Sequence, residues 1–254
     1  MARELLYGVM QLSSGGLFRS CKNFLYKYYG KENVICGKNF LYAKGTLPVM
    51  LIAHLDTVFY MPPSEIFCDE KKQVIWSEEA GVGDDRAGVY AILQLVMGSR
   101  PDRTPYVLFT LEEEKGGLGA SEAGAIIDLP SDVKFLIELD RRGRNDCVFY
   151  QCNNQAFTNY IESFGFEKQI GTFTDISILM DDWNICGVNL SVGYYNEHTY
   201  SEILRYNELF VTIKAVDNIL TDVYENKDKI NFNYQRNTRY YEELYMNEDI
   251  NGKN

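Results

Sequence analysis

Residues 48–57, PVMLIAHLDT, are the stretch from which the rest of the chain is read. The run PVMLIA shows no apolar-polar alternation and has the length of a strand buried on both faces. Directly beyond it His54 and Asp56 stand two positions apart, and His54 is one of only 2 histidines in 254 residues. A polar pair placed where a buried strand ends raises the question of its purpose.

Outward from this strand the same unit recurs. Residues 3–12 read as a helix broken by SSGG at 13–16, and Leu17 to Tyr29 as a second helix that a serine caps and Gly30 ends. NVICGKNFLYA (33–43) reads as two short strands about a Gly-Lys turn, and QVIW (73–76) as a further one. After GVGDD, residues 86–97 carry apolar side chains at helical spacing, and YVLFTL (106–111) is another buried strand. A glycine-rich loop, a helix from about Ser121 and the strand VKFLIEL (133–139) repeat the step. Further on come a strand CVFYQC (147–152), a helix over 155–164, a strand CGVNLSVG (186–193) and a long amphipathic helix over 201–222. Such alternation predicts an α/β protein, three layers α/β/α around a mixed, largely parallel sheet, with functional groups at the carboxyl ends of the strands. One catalytic domain is expected over 1–224, and a loosely attached polar tail, rich in Tyr and Asn, over 225–254.

Composition narrows the function. A hydrophobic share of 46% is enough for a full core, and a net charge of −11 opposes binding to a nucleic-acid backbone. No apolar run approaches the roughly 20 residues that span a bilayer, so no membrane association is expected. The 6 cysteines show no CxxC spacing and read as reduced, which together with the absence of a leader pattern suggests a cytoplasmic protein.

Five segments gather the polar chemistry: AHLDT (53–57), GDDRAG (83–88), LEEEKGGLGA (111–120), ELDRRG (138–143) and NEHTYSE (196–202). Each has an ordinary reading alone: a surface turn for His54 and Asp56, a helix cap for Asp84 or Asp85, a solvated face for the glutamates, a local ion pair for Asp140, a loop histidine for His198. All five fall at strand ends or loops, however, and carboxylates pooled in one place repel unless cations compensate them. Imidazole with carboxylate is a ligand set for zinc and similar divalent metals.

In HLD, DDRAG and EEKGGLGA, the last following the pattern Glu-Glu-x-Gly-x-x-Gly-Ala, the chain resembles the co-catalytic di-zinc exopeptidases, a superfamily of zinc aminopeptidases, tripeptidases and related carboxypeptidases and acylases. The likeness runs over about residues 1–222. It implies two divalent ions per chain, Zn2+ by the family's habit, with His54 and Asp140 on one, Glu114 and His198 on the other, and Asp84 bridging both. It implies Glu113 as the general base for a water shared by the ions, and Asp56 as the carboxylate that orients His54. The alternatives in register are Asp85 for Asp84, Glu112 and Glu113 for Glu113 and Glu114, and Glu138 for Asp140. The intervals from His54 to Asp84 and from Asp140 to His198, 30 and 58 residues, leave no room for the inserted lid domains of larger members.

For the substrate side the same resemblance points to Thr174 and Asp175 in GTFTDISIL (171–179), and Tyr194, Tyr195 and Asn196, directly ahead of His198, are further candidates for the pocket lining or for packing. Arg141 and Arg142 are available for a substrate carboxylate, or for solvent. The expected activity is hydrolysis of short peptides by an aminopeptidase. The alternatives are an N-acyl amino acid amidohydrolase or metallocarboxypeptidase and, in another class, a non-catalytic metal-binding or interaction protein on the same scaffold.

Overall fold

β3 (Leu47–His54) is buried at every position, and it runs between two parallel neighbours, β6 (Pro105–Thr110) and β7 (Phe135–Arg141). A computed structural model describes residues 2–242 and 244. Its larger sheet has the order β1-β2-β6-β3-β7-β10-β8-β9, where β1 is Val34–Cys36, β2 Phe40–Ala43, β8 Asp146–Val148, β9 Glu167–Gln169 and β10 Gly187–Ser191. The central four strands are parallel, and antiparallel pairs β1/β2, β2/β6 and β8/β10 make the sheet mixed.

Both faces of a strand buried throughout must be covered. Helices α1 (Ala2–Met10), α3 (Arg86–Gly98) and α7 (Tyr206–Asn226) pack together on one side, with α3 and α7 against β3. On the other side α4 (Leu118–Ile126) packs on α6 (Asp175–Trp183), which lies against β7 and β10. Val49, Met50, Leu51 and Ile52 are wholly buried, and each such side chain contributes about 1.5–3 kcal/mol relative to exposure. The remaining helices are α2 (Ser14–Tyr29), capped by Ser13, and α5 (Gln155–Glu162), capped by Asn154.

Parallel register fixes where the strands end. His54 pairs with Thr110, and Ile52 pairs with Glu138, so the ends of β3, β6 and β7 open at one level. A second, smaller sheet orders β11-β12-β5-β4, from β4 (Phe67–Asp69), β5 (Val74–Trp76), β11 (Tyr194–Tyr195) and β12 (Ile203–Arg205). Its β11–β12 connection carries His198 above those strand ends.

Several boundaries differ from the sequence reading. The last helix starts at Tyr206, because residues 203–205 pair with β5. CVFYQC is strand only through Val148; Tyr150 has φ 45° and turns the chain. α4 begins at Leu118, straight after Gly117, whose φ of 69° suits glycine. The stretch after residue 225 is not loose over its described part: Ile230 is buried, the Phe232 ring sits 5.0 Å from that of Phe157, and the Tyr240 hydroxyl donates to the Gly171 carbonyl at 2.8 Å. These anchors are too widely spaced to show a period in sequence. Residue 243 and residues 245–254 of the expected tail lie outside the described residues.

Candidate metal centre

The chain places His54, at the last position of β3, opposite two carboxylates. Its Nε2 is 3.1 Å from Asp84 Oδ1 and 3.5 Å from Asp140 Oδ1, and its Nδ1 lies 3.4 Å from Asp56 Oδ1. Across the same Asp84, His198 Nε2 is 3.0 Å from Oδ2 and 3.1 Å from Glu114 Oε2. A short carboxylate thus has one oxygen turned to each histidine.

Asp85 stands apart from this use. It caps α3, accepting the N–H of Gly88 at 2.9 Å on one oxygen and that of His54 at 3.2 Å on the other. His54, Asp85 and Asp140 do form a group close enough to hold an ion, as do His54, Asp84 and Glu114, but only Asp84 reaches both histidines. Arg86, the next residue, is buried beneath the site and donates to the Leu55 carbonyl at 2.8 Å, tying the HLD turn to the start of α3.

Asp56 steadies the opposite loop. Its oxygens accept the N–H groups of Glu113 and Glu114, each at 3.3 Å, so one carboxylate faces His54 and also aims the two glutamates. Glu114 then meets His198, while the Glu113 carboxylate lines the cleft without a hydrogen-bond partner among the described residues. Glu112 turns away, with φ 63°, to an ion pair with Lys115. Gly116 and Gly117 take the positive φ values, 93° and 69°, that bring the chain back into α4.

Asp140 is clamped from three sides. Thr174 donates to Oδ2 at 3.1 Å, the Tyr194 hydroxyl to Oδ1 at 3.2 Å, and Asn189 holds its backbone. Glu138, two residues earlier, is buried inside the sheet and does not line the cleft. Thr174 therefore acts on Asp140, whereas Asp175 is buried and accepts a hydrogen bond from Thr110. Tyr195 points away, its hydroxyl donating to Glu208 at 2.6 Å, and Asn196 donates to the Ser201 carbonyl at 3.2 Å; the lining at that point is Tyr194. Thr172 and Phe173 line the facing wall in place of Thr174 and Asp175.

Glu202, in sequence no more than a neighbour of His198, has a buried carboxylate that accepts the N–H groups of Gly83 and Asp84. Only its place in the NEHTYSE segment drew attention to it.

The electrostatics are those of an under-compensated acidic cluster. Burial, with Asp140 and Asp175 nearby, pushes Glu113 up to about 9, and burial beside Asp84 pushes Glu114 up to about 7. The hydrogen bond to Asp84 raises His198 to about 9. For His54 burial acts downward, but Asp140, Asp56 and Asp84 outweigh it and hold the ring well above its ordinary value. Asp84 itself resists the upward push of burial and stays low because His198 and His54 flank it. Four neighbouring groups with raised proton affinity mark a donor set that divalent cations would suit, since cations supply the compensation that protons supply otherwise.

An α/β/α chain that converges both of its histidines and a ring of carboxylates on the ends of its central parallel strands has the architecture of a metallo-exopeptidase. The chain belongs to peptidase family M28, whose pattern matches residues 39–171, and with that family it is a metal-dependent hydrolase. Among solved structures it is similar to a tripeptidase from Staphylococcus aureus (TM-score 0.68, 14% identity, covering 88% of this chain and 98% of that one). Aminopeptidase PepT from Bacillus cereus is similar too (TM-score 0.65, 14% identity, 88% and 98%). So is the Pyrococcus horikoshii TET1 peptidase, which can assemble into a tetrahedron or a large octahedral shell (TM-score 0.61, 14% identity, 87% and 99%). At such identities the likeness establishes the fold. No curated protein matches the sequence. No helix among the described residues is long and apolar enough to cross a membrane.

Proposed function

We propose that this chain is a zinc-dependent aminopeptidase of short peptides that works with two divalent ions held across Asp84. The observation that carries the reading is the placing of Asp84 between the histidines, Oδ1 3.1 Å from His54 and Oδ2 3.0 Å from His198. In this reading His54, Asp84 and Asp140 would hold one ion, and Asp84, Glu114 and His198 the other. Bound ions of this kind supply Lewis acidity towards a carbonyl oxygen and acidify a water.

The chain's own part is positioning and proton transfer. Glu113, which lines the cleft without a hydrogen-bond partner among the described residues, takes the proton of the attacking water and passes it to the leaving amine. Asp56 faces His54 Nδ1 at 3.4 Å, where its charge favours the tautomer protonated at that nitrogen, and holds Glu113 and Glu114 by their backbones. Asp140 is kept in place by Thr174 and Tyr194. The free cysteines support a reducing, cytoplasmic setting.

Arg141 and Arg142 on the cleft wall favour a second reading, a metallocarboxypeptidase or N-acyl amino acid amidohydrolase that takes a substrate carboxylate. Elemental analysis should find up to two divalent ions per chain. Amino acid amides, short peptides and N-acyl amino acids assayed side by side separate the two readings. Glu113→Gln should keep metal and fold while turnover falls about a hundred- to ten-thousandfold. A metal-free protein of full activity, or an active Gln variant, would refute the mechanism.

A further inference from the structure

The position of Arg141 is set by an irregularity in the sheet. Asn189 of β10 lies opposite Glu138 of β7, but Ser191, two residues on, lies opposite Arg141, so β7 carries one residue more than its neighbour over this interval. An extra residue of this kind is a bulge, and it takes side chains out of the strict alternation of a strand. Asp140 and Arg141, successive in sequence, consequently both line the cleft. Asn189 fixes the bulge through two hydrogen bonds with the Asp140 backbone, each 3.0 Å.

The Arg141 guanidinium is held but incompletely paired. Its Nη2 donates to the Ile170 carbonyl at 3.2 Å, its buried Nε has no hydrogen-bond partner among the described residues, and the Asp146 carboxylate comes only to 4.0 Å from Nε. The side chain is only 19% exposed, so its arm is fixed by its surroundings. Arg142 differs on both counts: it is 58% exposed and donates to Glu197 at 2.8 Å. In a chain of net charge −11, with Asp84, Glu113 and Asp140 on the same cleft, a fixed guanidinium is suited to an incoming anion, which it meets not with the buried Nε but with the terminal N–H groups that the Ile170 carbonyl leaves over.

We propose that Arg141 binds a carboxylate of the substrate, so that the enzyme selects peptides carrying one within reach of the bond to be cut. The proposal rests on the exopeptidase reading and names the substrate class for it. A guanidinium takes a carboxylate through two parallel N–H bonds, which gives direction as well as affinity. The carboxylate has two possible sources, the terminal carboxyl of a di- or tripeptide and the side chain of an Asp or Glu beside the scissile bond. The small volume of the cleft, about 170 Å³, suits a short ligand in either case.

Calorimetric titration of the zinc-loaded full chain carrying Glu113→Gln tests this with three ligands: Ala-Ala-Ala, its C-terminal amide, and Glu-Ala-Ala amide. At least one carboxylate-bearing ligand should bind about ten- to a hundredfold more tightly than Ala-Ala-Ala amide. An advantage for the free acid identifies the terminal carboxyl, and one for the glutamyl amide identifies the side chain. Adding Arg141→Met should remove the advantage, and Arg141→Lys, which keeps the charge without the planar fork, should keep part of it. Equal affinities for all three ligands overturn the assignment, as does an advantage that survives both substitutions because the metal ions themselves take the carboxylate. Turnover by the unmutated enzyme is scored separately. If no peptide is hydrolysed the exopeptidase reading fails, while the binding comparison still decides the role of Arg141.

Discussion

Glu202 reaches across 118 residues of chain to accept the backbone N–H of Asp84 at 3.2 Å, and with the same oxygen that of Gly83. The loop that presents Asp84 to both histidines is thus held by a carboxylate from the far side of His198. Removing the acceptor leaves two N–H groups in a buried place without a partner, at about 1–3 kcal/mol each. Glu202→Ala should lower stability in chemical denaturation and weaken zinc binding, measured by chelator competition, about ten- to a hundredfold. Glu202→Gln, which keeps an oxygen there, should recover most of both. Unchanged zinc affinity in the Ala variant would mean that the loop holds itself.

Adjacent aspartates with different work should fail differently. Asp85 makes the cap of α3 and the link to the His54 N–H, so Asp85→Ala should cost about 1–2 kcal/mol, as caps do, and lower the melting temperature of metal-free and zinc-loaded protein alike. Asp84→Asn leaves the cap intact but removes the negative charge between the histidines, so the rise in melting temperature on adding zinc should disappear. Differential scanning calorimetry with and without zinc reads both effects. A zinc-dependent rise lost in Asp85→Ala and kept in Asp84→Asn would reverse the assignment.

Gly88 shows why the DDRAG motif ends as it does. A Cβ built there would lie 1.8 Å from the Leu139 carbonyl of β7 and 2.5 Å from the capping carboxylate of Asp85. Within a helix Ala is ordinarily about 1 kcal/mol better than Gly, yet here the added methyl must push α3 off the strand that carries Asp140. Gly88→Ala should therefore destabilise the protein in denaturant titration and lower zinc affinity as well. A stabilised variant would show that the helix shifts without disturbing the site.

How much of this was legible in the sequence follows from what each pattern encodes. β3, β6, β7 and α3 were readable because a strand covered on both faces must be apolar throughout, and a helix packed on it must be apolar at its own period. The nearness of His54, the glutamates at 112–114 and Asp140 followed from strand ends sharing one edge, whereas the choice of Asp84, Glu114 and His198 came from the resemblance in the motifs. Strands of two or three residues, such as β11 and β12, are too short to show alternation, so their part in the second sheet leaves no mark in the sequence and α7 is read from too early a residue. The bulge at Asp140, the reach of Glu202 and the choice of Tyr194 over Tyr195 depend on partners remote in sequence, for which no local pattern exists. The packed segment after residue 225 was hidden for a related reason: a few anchors, Ile230, Phe232 and Tyr240, secure an otherwise polar stretch.

The crowded carboxylates make the metal-free protein sensitive to pH in a direction that metal should reverse. Burial raises Glu114 and Glu202 to about 7, above their ordinary 4.5, so the folded state holds these protons after the unfolded chain has released them. Stability from this source is present below about 4.5 and is lost as pH rises to about 7. His198, raised from 6.5 to about 9 mainly by Asp84, adds a loss in the same sense between those values. Asp84 and Asp56, both lowered, gain their contribution below this window and leave its slope unchanged. The melting temperature of chelator-treated protein should accordingly fall from pH 5 to pH 9. Zinc binds the deprotonated ligands, so the rise in melting temperature on adding zinc should grow over the same range. Calorimetry at fixed ionic strength checks both trends, and a metal-free protein that becomes more stable as pH rises through 7 would show that these groups are not held protonated as their surroundings require.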